Sequence, residues 1–375
     1  RGSNYLRQRL LISLLSQRPI VIDEIRTSVP AEDGVVGLIE HELSLLKLID
    51  KLTNGTKTRI NSSGTCLRFY PGTLVGGTGI EHECEGGRPV GYFIEFVLGL
   101  CPFMKRPLRL VLFGSVCMEA TSEGVDPSAD RLLRAVVPVL NRFMDDREHH
   151  VSIKVLGRHL GKEHGKVEVI CEQPVIGSIN PIQLSNPGKV KKIRGLSLGS
   201  GGVSSSILNE MIRTAKGTFL NFIPDVFITV ERKRKPGTKQ MFGLFLLAET
   251  TDGTIYCGEA YHTSDSDKIV TGADVAKDAV RELVLSIYNG GCVDSCAQWL
   301  VVLYMALNKP DVSSVNFGSE RLTNATINMM RLLKQFFGGM EFSFRDEKSK
   351  TIAAAKNMIV SCVGVNYVNT GKAML

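Results

Sequence analysis

The sequence predicts an α/β protein of layered α+β build. Three helix–strand–helix–strand–strand units form a large domain, and a small α/β domain is inserted before the third. Three observations predict it. The same order of amphipathic and alternating segments recurs three times along 375 residues, and such recurrence marks units that bury their apolar faces against one another. An Arg-Pro dipeptide opens a strand in each of the first two units, with prolines at 19 and 107, 88 residues apart. The stretch 194–288 breaks the order and has strands and helices of its own. The expected division is 4–193 for the first two units, 194–288 for the insert and 289–375 for the third unit.

Each element follows from local pattern. In YLRQRLLISLLSQ apolar residues recur at helical spacing, and RPIVIDEIRT alternates as a strand does. GLIEHELSLLKLIDKLTNG is amphipathic and stops at Asn54-Gly55. KTRINS and CLRFYPG supply two closing strands. The second unit repeats the order with helix YFIEFVLGLCPFM, strand KRPLRLVLFGS and helix PSADRLLRAVVPVLNRFM, whose Pro127 suits a first turn. VSIKVLG and KVEVICEQP close it. The third unit has SCAQWLVVLYMAL, then SSVNFG, TNATINMMRLLKQFF ended by Gly338-Gly339, and strands MEFSFRD and KNMIVSCVGV. In the insert, helices SSILNEMIRTAKGTFLNF and ADVAKDAVRELVLSIY flank the strands DVFITVE, MFGLFLLAET and TIYCGEAY.

Composition narrows the function classes. Hydrophobic content of 43% beside 22% charged residues is that of a globular chain. The most apolar run, Trp299 to Leu307, is far shorter than the roughly 20 residues of a membrane helix and reads as a buried helix. Nine cysteines without a CxxC pair or zinc spacing predict a reduced compartment, which leaves the sequons at Asn54, Asn61 and Asn324 incidental. A net charge of +7 favours polyanionic partners. Two linear clusters concentrate it. One has Lys189, Lys191, Lys192 and Arg194; the other has Arg232, Lys233, Arg234, Lys235 and Lys239.

Several segments together carry a family resemblance: LRQRL, IDEIR, FYPGTLVGG (69–77), IRGLS, GGCVDS (290–295) and the VGVNYVNTGK tail. In that order and spacing the chain resembles RNA 3′-terminal phosphate cyclases along its whole length, and more closely their ribosome-biogenesis branch. The resemblance implies three repeats plus an α/β insert. It also implies an active site at a His-x-x-Thr-Asn motif, whose histidine is adenylated by ATP. Here that frame reads Glu320-Arg321-Leu322-Thr323-Asn324. A neutral imidazole can attack a phosphate and form a labile phosphoramidate, whereas a carboxylate is a weak nucleophile that repels the triphosphate. The family's GEGGGQ-type opening is Gly2-Ser3-Asn4-Tyr5, although Arg7 and Arg26 fit expected phosphate-binding positions. The Pro-Gly-Leu-x-Arg stretch is replaced by VVGLIEHE, and the glycine-rich turn of the second unit by GRHLGKEHGK.

The resemblance therefore implies a nuclear, nucleolar assembly factor for the small ribosomal subunit that does not cyclize RNA and needs no cofactor or metal. Its implied partners are precursor rRNA, a particle with a box C/D guide RNP, and a nucleolar GTPase, with the chain a monomer inside that complex. Site-specific cleavage of precursor rRNA, with Glu320 and Asp294 as its carboxylates, and residual cyclization are the alternatives. Arg331 and Lys334, at i and i+3, are further RNA or partner contacts, or a solvated face. His149, His150, His159 and His164 read as a surface loop, and Cys292 and Cys296 as buried small side chains. The GSGGVSSS run (199–206) lacks the lysine of a phosphate loop and reads as a turn leading to a helix cap.

Overall fold

In the computed structural model, residues 1–27, 36–117, 119–121, 124–144, 151–158, 165–175, 177–232, 240–263, 270–319, 322–348 and 356–369 are described. The first unit holds α1 (Leu6–Ser16), β1 (Ile20–Ile22), α2 (Glu40–Leu52), β2 (Lys57–Ile60) and β3 (Leu67–Tyr70). Next come β4 (Gly77–Glu83), α3 (Val90–Leu100), β5 (Leu108–Gly114), α4 (129–141), β6 (Val151–Gly157) and β7 (Gly165–Cys171). After β8 (Gln183–Leu184), the insert holds β9 (Val190–Ser200), α5 (Ser205–Phe219), β10 (Val226–Arg232), β11 (Met241–Thr250), β12 (Ile255–Thr263) and α6 (Gly272–Asn289). The third unit follows with α7 (Gln298–Leu307), β13 (Val312–Asn316), α8 (Asn324–Phe337), β14 (Phe342–Lys348) and β15 (Lys356–Val363).

The three units share one strand order, with the last strand in the middle: β1-β3-β2, β5-β7-β6 and β13-β15-β14. The second and third sheets each gain a strand parallel to their first, β4 beside β5 and β8 beside β13. Parallel neighbours need a crossover, which helix α3 supplies between β4 and β5. Between β8 and β13 the same crossover is made by α7, and the whole insert is spliced in ahead of that helix. Neither β4 nor β8 was legible: GTGIEHE has little strand character, and β8 is two residues long.

Helices α3 and α7 are buried on every side, as their nearly unbroken apolar sequences require. Leu10, Leu11, Phe93, Phe96, Leu303 and Tyr304 belong to one core shared by all three units. The insert has a separate core under α5 and α6, including Leu208, Met211, Leu246 and Ala279. Helix α4 departs from the regular helix expected over 127–144. Pro138 has no N–H to give the preceding turn, and residues Leu132–Val136 widen into a π-turn in which the Val137 N–H reaches the Leu132 carbonyl. That turn sits where α4 meets the insert, with Ala135 packed on Phe245 and Cys257.

Two ion-pair sets cross the same seam: Arg158 joins Asp130 to Glu231, and Arg131 joins Asp294 to Glu282 and Glu259. The tail is a brace. Tyr367 packs edge-on against Phe103 and Phe337, and Asn369 donates to the Leu74 and Phe103 carbonyls.

Candidate functional site

A cleft of about 450 Å³ lies where the three units and the insert converge. Helix α1 contributes Arg7 and Gln8, α3 contributes Glu95, the entrance to α4 contributes Asp126 and Arg131, and the insert contributes Glu282. Thr323 and Asn324 of the Thr-Asn frame form one wall at the start of α8. Thr323 caps that helix by accepting the Thr326 N–H, while its own N–H donates to Gln298 Oε1.

The described lining has three guanidiniums and three carboxylates, and each guanidinium is already matched. Arg7 donates to Glu95 at 2.8 Å and to the Tyr92 carbonyl at 2.7 Å. Glu95 also accepts the Trp299 indole N–H at 2.9 Å. Burial pushes the Glu95 carboxyl upward, against the pull of Arg7. Arg88 is paired with Asp126, Nη2 to Oδ1 at 2.8 Å. The Tyr92 ring lies between Arg7 and Arg88, with guanidinium carbons 4.5 and 4.4 Å from its centroid. Arg131 donates to both Asp294 oxygens at 3.0 and 3.2 Å and to Glu282 at 2.6 Å. Behind it, buried Glu259 stands 3.8 Å away. Burial, then the guanidiniums of Arg88 and Arg26, pull the nearby His41 down to about 4, so it adds no positive charge at neutral pH.

The structure brings some of the sequence candidates together and not others. Arg7 lines the cleft; Arg26 does not. Arg26 makes a two-pronged pair with Glu42 at 2.8 and 2.9 Å and donates to the Gly37 carbonyl, tying the first loop to α2. Asp294 lies behind the cleft wall, its side chain 1% exposed, where it holds Arg131 and caps the turn at Ser295. A metal or a water would have to displace that pair. Glu320 falls outside the described residues, as do Lys233, Arg234, Lys235, Lys239 and the four candidate histidines. Arg232 is half-buried, and its Nε has no hydrogen-bond partner among the described residues.

Lys191 and Lys192 both bind Glu249 at 2.8 Å, Arg194 is forked onto Asp225, and Lys189 is exposed. Arg331 and Lys334 make no ion pair among the described residues and rim an apolar groove with Ile327, Met330, Phe342 and Phe344. Ser204 caps α5 after the glycine-rich turn. Cys296 faces the cleft, and burial beside Asp294 pushes its thiol up, away from thiolate. Among the described residues no cluster of His, Cys, Asp and Glu could hold a metal. Sequence reading missed Arg88, Glu95, Arg131, Glu259 and Glu282. No local motif marks them, and their pairings link positions as far apart as 163 residues.

ATP, which the resemblance implies for active members, does not fit this lining. A triphosphate needs uncompensated cations or free N–H groups. Here it would meet as many carboxylates as guanidiniums, already hydrogen-bonded to one another.

Three equivalent units, a spliced insert and a cleft of paired charges at their junction define a cyclase-type architecture. The chain belongs to the RNA 3′-terminal phosphate cyclase family, whose model matches residues 1–344. It is 38% identical to the RNA 3′-terminal phosphate cyclase-like protein of Mus musculus over 376 residues, covering all of this chain and 97% of that protein. The Homo sapiens protein of the same name is also 38% identical, over 379 residues, with the same coverage. The rRNA processing protein rcl1 of Schizosaccharomyces pombe is 33% identical over 380 residues, with 99% of this chain and 97% of that protein covered.

Proposed function

We propose that this chain acts in precursor-rRNA processing as an assembly factor that does not cyclize RNA. It works in the nucleolus within the particle that builds the small ribosomal subunit, bound to precursor RNA and a nucleolar GTPase. The fission-yeast relative, an rRNA processing protein, supports the rRNA link. The observation that carries the loss of cyclization is the cleft, where Arg7, Arg88 and Arg131 are each matched by a carboxylate. Glu320 at the histidine position points the same way. Engagement of Asp294 by Arg131 weakens the nuclease alternative, which needs that carboxylate free.

The test uses ATP labelled at the α-phosphate and RNA ending in a 3′-phosphate. The expected result is no protein-linked AMP and no cyclized end. E320H is expected to remain unlabelled as well, because one histidine does not free the paired arginines. Labelling of the wild type would overturn the reading. In cells, depletion is expected to accumulate uncleaved precursor rRNA; unchanged precursors would remove the processing role.

A further inference from the structure

The outer face of the first sheet carries cations that no described carboxylate pairs with. The order is β1-β3-β2, with Val21 opposite Arg68, Arg68 opposite Arg59, and Tyr70 opposite Lys57. Alternation along β3 buries Leu67 and Phe69 and turns Arg68 and Tyr70 outward. Lys57 and Arg59 are exposed on the edge strand, Val21 is 61% exposed and Tyr70 40%. None of Lys57, Arg59 and Arg68 makes an ion pair with a described carboxylate. Of the acidic residues that follow β1, Glu24 is engaged by the Arg1 side chain.

Two arginines directly opposite each other on antiparallel strands repel, and such a pair weakens a sheet unless an anion lies between them. The inner residues Leu67 and Phe69 already belong to the core, so the outward cations do not serve packing.

We infer that this face is a binding platform for single-stranded RNA, with phosphates held by Arg59, Arg68 and Lys57 and a base stacked on Tyr70. The inference rests on the precursor-RNA reading above and assigns it a surface. Successive outward side chains on one strand stand about 7 Å apart, a spacing suited to the phosphates of an extended strand. An exposed ring among cations is the combination by which open sheets hold unpaired nucleotides without reading sequence. An acidic peptide would satisfy the cations but leave Tyr70 unexplained.

The experiment measures fluorescence anisotropy of fluorescein-labelled oligouridylate against salt concentration, with duplex RNA and polyglutamate as parallel probes. The wild type is expected to bind oligouridylate more tightly than either. R59Q/R68Q is expected to bind about tenfold more weakly, with the log–log salt slope reduced by about 1.4, at about 0.7 per phosphate of a single strand. Y70L is expected to lose about five- to a hundredfold with the slope unchanged. R59K/R68K, which keeps both charges, should keep the slope and shows whether a loss in the glutamine variant reflects folding. Wild-type-like binding by R59Q/R68Q would overturn the platform while the RNA-binding reading survives. No RNA binding by the wild type would overturn both. Arginine-dependent binding of polyglutamate in place of RNA would overturn the platform in favour of a protein dock.

Discussion

Strand β9 and the hairpin of β2 and β3 each present a row of cations, and they differ in what stands opposite. On β9 the neighbouring strand brings Glu249 to Lys191 and Lys192, and the start of β10 brings Asp225 to Arg194. On the hairpin, Arg59 faces Arg68. The first row is dense in sequence and nearly neutral in space. The second is split by a turn in sequence and, among the described residues, uncompensated in space. Long-range fields come from the summed charge, so the hairpin should dominate encounters with polyanions even though β9 has more lysines. The cleft is the extreme of the first kind, since its arginines are both matched and buried. Four perturbations break or sharpen this contrast.

The largest effect is expected at Arg131, which stands among Asp294, Glu282 and Glu259. R131M leaves buried carboxylates without their counter-ion, a change that costs about 3–5 kcal/mol when a buried pair is broken. Urea denaturation should show the midpoint falling accordingly, and the seam between α4 and the insert should open first to proteolysis. A loss below about 1 kcal/mol would mean that water already reaches these carboxylates.

Next comes pH. Three carboxylates around one guanidinium leave a surplus, and burial raises Glu259 to about 7. Arg131, Glu282, Tyr261 and the Ser128 N–H face it. The folded form therefore keeps a proton that the unfolded chain releases near 4.3. With the folded value above the unfolded one, stability is greatest below about 4.3 and is lost as pH rises to about 7, by a total on the order of 3 kcal/mol. E259Q should remove this component. Thermal melting of both proteins from pH 5 to 8 checks it: the gap in favour of E259Q should widen with pH and level off above 7.

How much of this was written in the sequence follows the same line. The three units, the insert and the buried helix at Trp299–Leu307 were legible because hydrophobic period reports burial directly. The motif frame singles out Glu320 in the sequence, and that residue lies outside the described ones. The cleft was not legible, since Arg131 and Asp294 are 163 residues apart and no local pattern marks a carboxylate as an arginine's partner. The linear clusters at 189–194 and 232–239 drew notice through density along the chain. The Arg59–Arg68 pair escaped it because the register of a hairpin, not proximity in sequence, makes the pair. Pro138 went unremarked inside the regular helix expected over 127–144, and the chain answers it with a π-turn.

A third perturbation converts the neutral row into an open one. D225N/E249Q frees Arg194, Lys191 and Lys192 while leaving their positions unchanged. If pairing is what silences β9, the salt slope for oligouridylate should steepen by up to about 2, from three cations at about 0.7 each. An unchanged slope would show that the geometry of β9, and not its charge balance, keeps RNA away.

The smallest effect tests the converse, turning the open row into a matched one. R68E places a carboxylate directly opposite Arg59 and beside Val21. A like-charge pair becomes an opposite-charge pair at an exposed cross-strand site, worth about 0.2–1 kcal/mol. The melting temperature should rise slightly at low salt, and the gain should shrink as salt screens it. RNA binding should fall in the same variant, since one cation is removed and another is captured. Stability and binding would then move in opposite directions from one exchange. That is expected where a surface keeps repelling charges together for a ligand; a residue held for the fold alone would lose both or neither.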